Sequence, residues 1–175
     1  MMTQKVPLGV AWIVCILLAM PACSVPVVAE PHHALQIGTY DSRAVAIAYA
    51  GSPPFKKTLQ HLRGAQKAAR DAGDRPTVDR LEQEGRALQG KLHRQGFGTE
   101  PVDDLLAEFE GPIVALKSRL NVRAIVSIWN EADLQRHAGA AKVDVTAALV
   151  DLLTDDERQR RAAMEITKVA PNSRK

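Results

Sequence analysis

The chain has 175 residues, a formal net charge of +3, 46% hydrophobic residues and only 4% aromatics. That length fits about one domain. The near balance of 23 basic and 20 acidic residues, with few rings to stack on bases, excludes the basic stripe of a nucleic-acid footprint.

The first 29 residues read as a signal peptide. Lys5 supplies the positive start, and Val6 to Met20 is an apolar run too short to favour a membrane span, closed by Pro21. Val27-Val28-Ala29 offers the small residues that a signal peptidase reads, with cleavage before Glu30. Met20-Pro21-Ala22-Cys23 leaves a second route open, lipidation at Cys23, and a retained anchor is a third. Each of these routes points to a bacterial envelope, and cleavage points to the periplasm. Membrane contact is expected only if Cys23 is lipidated. Both cysteines, Cys15 and Cys23, lie in this segment, so a chain cut after Ala29 has no disulfide to staple it. Of the 23 basic residues only Lys5 would be lost, leaving 22 against 20 acidic.

Beyond this segment, Leu35 to Tyr40 alternates apolar with polar or small residues, as a half-buried strand does. Asp41-Ser42 is suited to cap a short alanine-rich helix from Arg43 to Ala50, although the Val45, Ile47, Tyr49 alternation also allows a strand. Gly51-Ser52-Pro53-Pro54 is a break, and Ser52 with Pro53 opens the next helix.

From Phe55 to Leu92 the pattern is that of two helices folded back on each other at Ala72-Gly73-Asp74-Arg75-Pro76. One apolar seam is Phe55, Leu59, Leu62, Gln66, Ala69; the other is Val78, Leu81, Gly85, Leu88, Leu92. Both alternate steps of three and four, the spacing that turns one stripe toward a partner, as in a coiled coil. At ~1.5 Å per residue each helix is roughly 25–30 Å long. Gly64, Gly85 and Gly90 weaken them, each by about 1 kcal/mol relative to alanine. The outward cations Lys56, Lys57, Arg63, Lys67, Arg70, Arg80 and Arg86 are the candidate client-binding residues; a plain solvated face is the alternative.

Gly96-Phe97-Gly98-Thr99 ends the arm, with Phe97 expected to pack where arm meets body. Val102, Leu105, Leu106, Phe109, Ile113, Leu116 and Leu120 then share one helical face, with a kink expected at Gly111-Pro112 and an end at Asn121. Arg123 to Trp129 is apolar on both faces and reads as a central, covered strand. A loop with one helical turn follows, then a strand at Lys142 to Val145 and a helix capped by Thr146. Thr154-Asp155-Asp156-Glu157 reads as a capping box that opens a last helix to about Lys168. The expected core is Leu35, Ile37, Val122, Ile125, Val126, Ile128, Val143, Val145, Leu149 and Leu152, covered by the 102–120 helix.

No spacing of the five histidines makes a metal site; His61 and His93 meet only if the two arm helices pair in register. Asp103 and Asp104 fit the start of a helix, whose dipole favours carboxylates. Asp41-Ser42 lacks a histidine placed to act as base. With no phosphate loop, zinc-protease helix or nucleophile elbow, the residues point to binding or assembly; neither an enzyme nor a cofactor is expected.

Two segments carry a family resemblance. Ile37-Gly38-Thr39-Tyr40-Asp41-Ser42-Arg43-Ala44-Val45 resembles the opening strand and exit of the OmpH/Skp family of periplasmic chaperones. Val122-Arg123-Ala124-Ile125-Val126 through Val143-Asp144-Val145-Thr146-Ala147-Ala148-Leu149-Val150 resembles that family's closing strand and helix start. The resemblance implies a homo-oligomer, a trimer, that holds unfolded or outer-membrane proteins between helical arms without ATP. The arm is about half the length typical of the family, and the chain is less basic. The expected architecture is helix-rich α+β: a small sheet of about three strands with a projecting antiparallel helical hairpin. Residues 30–175 are expected to form a single domain similar to the OmpH/Skp family, with body 35–52 and 97–168, arm 53–96 and a disordered tail 170–175. The alternative function is a structural envelope scaffold whose hairpin pairs with a partner.

Overall fold

The computed structural model describes residues 35–170. The expected signal peptide with Cys23, the His32-His33 pair and the last five residues of the tail lie outside them. The described chain is helix-rich around a small parallel sheet.

Strand β1 (Gln36–Tyr40) is followed by helices α1 (Ser42–Tyr49), α2 (Pro53–Asp71), α3 (Arg75–Phe97), α4 (Asp103–Ala107) and α5 (Glu110–Arg119). Then come β2 (Ala124–Ser127), α6 (Glu131–Arg136), β3 (Ala141–Asp144), α7 (Thr146–Leu153) and α8 (Glu157–Ile166). Both strand pairs are parallel, in the order β2-β1-β3, with Gly38 opposite Ile125 on one side and Val143 on the other. The central strand is therefore β1, not β2. A Cβ on Gly38 would lie 3.0 Å from the side chains of Ile125 and Val145, so the bare backbone of β1 lets its neighbours close over it. As an edge strand β2 leaves Ile128, just past its end, 41% exposed, and Leu35 at the start of β1 is 45% exposed. Neither belongs to the core expected for them. Ile125, Val143 and Leu152 are half-buried, whereas Ile37, Val145 and Leu149 are buried as expected.

The alanine-rich segment after β1 is a helix, and it lies at the centre of the molecule. Asp41 caps it by accepting from the Arg43 N–H at 2.9 Å. Seven of its eight residues are buried, and it packs against α3, α7 and α8. Small side chains at Ala44, Ala46 and Ala48 permit that approach from several sides. Tyr49 closes the far end; its ring packs on Phe55 and Phe109, and its hydroxyl donates to Glu108 at 2.6 Å.

The start signal at Ser52-Pro53 held for α2, and α3 has a cap that the sequence reading did not name. Ser52 caps α2 by accepting from the Phe55 N–H, and Asp74 caps α3 by accepting from the Thr77 N–H. Hydrogen bonds from the Thr77 side chain and backbone hold the Asp74 carboxyl below its usual value. Gly73, at φ 70°, makes the left-handed turn between them. α2 and α3 pack on each other: Leu62 lies 3.2 Å from where a Cβ on Gly85 would be, and Arg70 pairs with Glu82 at 3.2 Å.

Other boundaries depart from expectation. The 102–120 segment is two helices, not one kinked helix, because the chain breaks at Glu108-Phe109. Pro112 then falls in the first turn of α5, where its missing N–H costs nothing. Asn121, at φ 52°, ends that segment as expected. Thr146 does not cap α7; its Oγ1 accepts from the Asp41 N–H at 3.1 Å and so joins α7 to the end of β1. The capping box at Thr154 is absent. Asp156 caps α8, while the Thr154 hydroxyl donates to the Gly51 carbonyl at 3.1 Å. Phe97 is 46% exposed; Gln95 and Gly96 make the junction between α3 and the body instead. Gly96 faces Ile47 and Ala46 of α1, and the Gln95 amide donates to Pro101 O and to Asp104.

Candidate functional site

A groove of about 1160 Å³ opens where the two long helices meet the body. Ala46, Ile47 and Ala50 of α1 form its floor. Phe55 and Leu59 come from α2, Leu88 and Leu92 from α3, and Ile166 with Val169 from α8 and its end. Each helix contributes the residues its apolar period turns toward the body, so the groove is a product of four amphipathic stripes that do not fully close. Leu59, Leu88 and Leu92 are accordingly only half-buried. The groove's polar residues include Arg63, Arg86, His93, Glu165 and Lys168.

The seven candidate cations divide into two groups. Lys67 pairs with Asp71 at 2.6 Å, Arg70 and Arg86 both reach Glu82, at 3.2 and 3.8 Å, and Arg80 pairs with Glu84 at 3.6 Å. These exposed pairs offset much of the charge of α2 and α3 while adding little stability. Lys56, Lys57 and Arg63 make no ion pair among the described residues and are exposed on α2 near the body. The sequence placed all seven on outward faces. It did not separate Arg63 and Arg86, which line the groove, from the rest.

The His93 ring packs edge-on against Phe97, with centroids 4.9 Å apart. Among the described residues no cluster of three or more His, Cys, Asp or Glu side chains is placed to hold a metal ion. No helix of the described residues is long and apolar enough to cross a membrane. Asp103 and Asp104 open α4 as expected, and Asp104 also accepts from Lys91 at 2.7 Å, tying α3 to α4.

A second polar feature was not legible in the sequence. Asp41 and Arg43 form a buried pair at the end of β1, with side chains 4% and 2% exposed. The guanidinium binds both carboxylate oxygens, Nε to Oδ1 at 3.1 Å and Nη2 to Oδ2 at 2.7 Å. Trp129 Nε1 donates to Oδ1 at 3.0 Å, and the guanidinium carbon lies 4.9 Å from the centre of the Trp129 ring. The remaining Arg43 nitrogen, Nη1, donates to the Val169 carbonyl at 2.7 Å. Burial alone would raise the Asp41 carboxyl, but hydrogen bonds from Arg43 and Trp129, together with the Arg43 charge, hold it below its usual value. Every nitrogen of the guanidinium and both carboxylate oxygens are engaged, and the cluster is buried. Ser42 Oγ beside it is buried without a hydrogen-bond partner among the described residues, so no base stands ready to activate it. This is a structural lock joining the end of β1 to Trp129 and the end of α8.

Neither a family model, nor a curated protein, nor a solved structure matches this chain.

Proposed function

We propose that this is a binding protein, not an enzyme: an exported, chaperone-like holder of unfolded or envelope proteins that works without ATP. In this reading α2 and α3 form an antiparallel hairpin that projects from the body, as the OmpH/Skp resemblance implies. The observation that carries it is the commitment of α2, which packs chiefly on α3 and meets α1 through Phe55 at its start, while α3 packs on both α2 and α1. The outer face of α2 therefore remains available, with Lys56, Lys57 and Arg63 unpaired among the described residues. Such a surface offers adaptable charge without a shaped catalytic pocket. Self-association is part of the proposal, as a trimer. Exposed Leu35 and Val114, which line a common hollow between the start of β1 and the end of α5, are the apolar residues it would cover.

The test is suppression of aggregation of a urea-unfolded outer-membrane barrel protein, read by light scattering on dilution. The full chain should suppress scattering near stoichiometric ratios. Lys56→Glu/Lys57→Glu/Arg63→Glu should need several times more protein, and added salt should narrow the difference, because exposed charges are screened over ~8 Å at physiological ionic strength. If the full chain leaves scattering unchanged at every ratio, the chaperone reading fails. Crosslinking from the arm to a single folded partner would then favour an envelope scaffold.

A further inference from the structure

We propose that the groove between α1, α2, α3 and α8 binds the alkyl chain of a long-chain carboxylate, a free fatty acid, with the head group held by Arg63 at its edge. This goes beyond the client-binding reading and does not depend on it.

Three observations converge. The groove's volume of about 1160 Å³ is on the scale of small-molecule sites, roughly 300–1,000 Å³ in most proteins, and unlike the flat patch of a protein interface. Its interior is aliphatic and aromatic. An extended peptide laid there would bury amide groups without partners, whereas an alkyl chain brings none. Gln159, which also lines it, has its amide nitrogen engaged by the Ile47 carbonyl at 2.6 Å. At the edge, Lys168 is paired with Glu165 at 2.7 Å and Arg86 with Glu82 at 3.8 Å, so the charge left over among the lining residues is that of Arg63, which favours an anion. Arg63 makes no ion pair among the described residues, which leaves its guanidinium free to take a carboxylate in the bidentate manner.

The glycines of α3 supply the space. Gly85, Gly90 and Gly96 all line the groove. A Cβ at Gly90 would meet only the Arg94 guanidinium, at 3.6 Å, so packing does not forbid a side chain there. Alanine would make a firmer helix at that position. What glycine keeps is the open volume, and this gives the test opposite signs for stability and for binding.

The full chain is titrated with cis-parinarate, a fluorescent long-chain fatty acid anion, below its micelle concentration. Saturable one-to-one binding is expected, displaced by palmitate and at least tenfold less well by hexadecanol. Gly90→Leu should weaken binding at least tenfold while unfolding at no lower temperature than the parent. Gly90→Ala, which adds one methyl group, should unfold at a higher temperature and bind within about threefold. Arg63→Gln should weaken palmitate several-fold and leave hexadecanol unchanged, a pattern that also decides the matter if Gly90→Leu does not fold. The absence of saturable binding overturns the proposal, as does equal affinity of the parent, Gly90→Leu and Arg63→Gln. A parent oligomer that ignores palmitate but dissociates in Gly90→Leu overturns it too, by giving the groove to a second copy of the chain.

Discussion

Arg43→Met is expected to destabilise the fold by about 3–5 kcal/mol, the cost of leaving one partner of a buried ion pair without the other. Methionine fills much of the volume of the arginine stem, so the loss is mainly electrostatic. Asp41 would keep the Arg43 position's backbone N–H and Trp129 Nε1 but lose the two-point guanidinium contact, and the Val169 carbonyl would lose its donor. Asp41→Asn combined with Arg43→Met removes both charges and should recover a large part of the loss, because an uncharged pair is not penalised by burial. Urea unfolding of the two variants measures this, and equal destabilisation would mean that charge is not the cause. The pH dependence has a definite sign. The Asp41 carboxyl titrates lower in the folded chain than in the unfolded one, so its contribution is fully present above about pH 4, near the unfolded value, and is lost as pH falls through the folded value. In Arg43→Met the desolvation that remains should push the carboxyl up, and the acid limb of stability should move to higher pH.

Leu149→Ala is expected to cost about 2–5 kcal/mol, as other large-to-small truncations in cores do. Leu149 is fully buried on α7, among the side chains of the main core cluster. Gln83→Ala on α3, at an exposed position, should change stability by no more than about 0.5 kcal/mol. Comparable effects from the two would mean that the packing of α7 against α1 is not what closes the core.

How much of this was legible in the sequence follows from the range of each interaction. The start of α2 at Ser52-Pro53 is written locally, since a cap and its acceptor lie within three residues. The period of the long helices and the strand character of 36–40 are also local. The order of the strands is not. Residues 123–129 look central because both faces are apolar, yet it is β1 that pairs on both sides, and Gly38 leaves room above it for Ile125 and Val145. Thr154 has the composition of a capping box, but its hydroxyl bonds Gly51, 103 residues away in sequence. Arg43 gave no signal of burial, because its partners include Trp129 and Val169, and Val169 is 126 positions distant. The candidate site shows the same division. The arm cations were visible as outward residues, whereas the groove needed Ile47 from α1 and Ile166 from α8, which no local pattern brings together.

The central claim is that α2 and α3 carry the binding function while the body folds without them. Deleting residues 57–91 and joining Lys56 to Leu92 through a short Gly-Ser turn tests it most directly. Leu92, Gln95 and Gly96 remain to hold the base of α3 against α1, and the sheet, α7 and α8 lie wholly outside the deletion. The measurement is suppression of barrel-protein aggregation by light scattering, with circular dichroism on the same samples. The account predicts a folded variant with a cooperative thermal transition that no longer suppresses aggregation at ratios where the full chain does. A folded variant that suppresses aggregation as well as the full chain would contradict it.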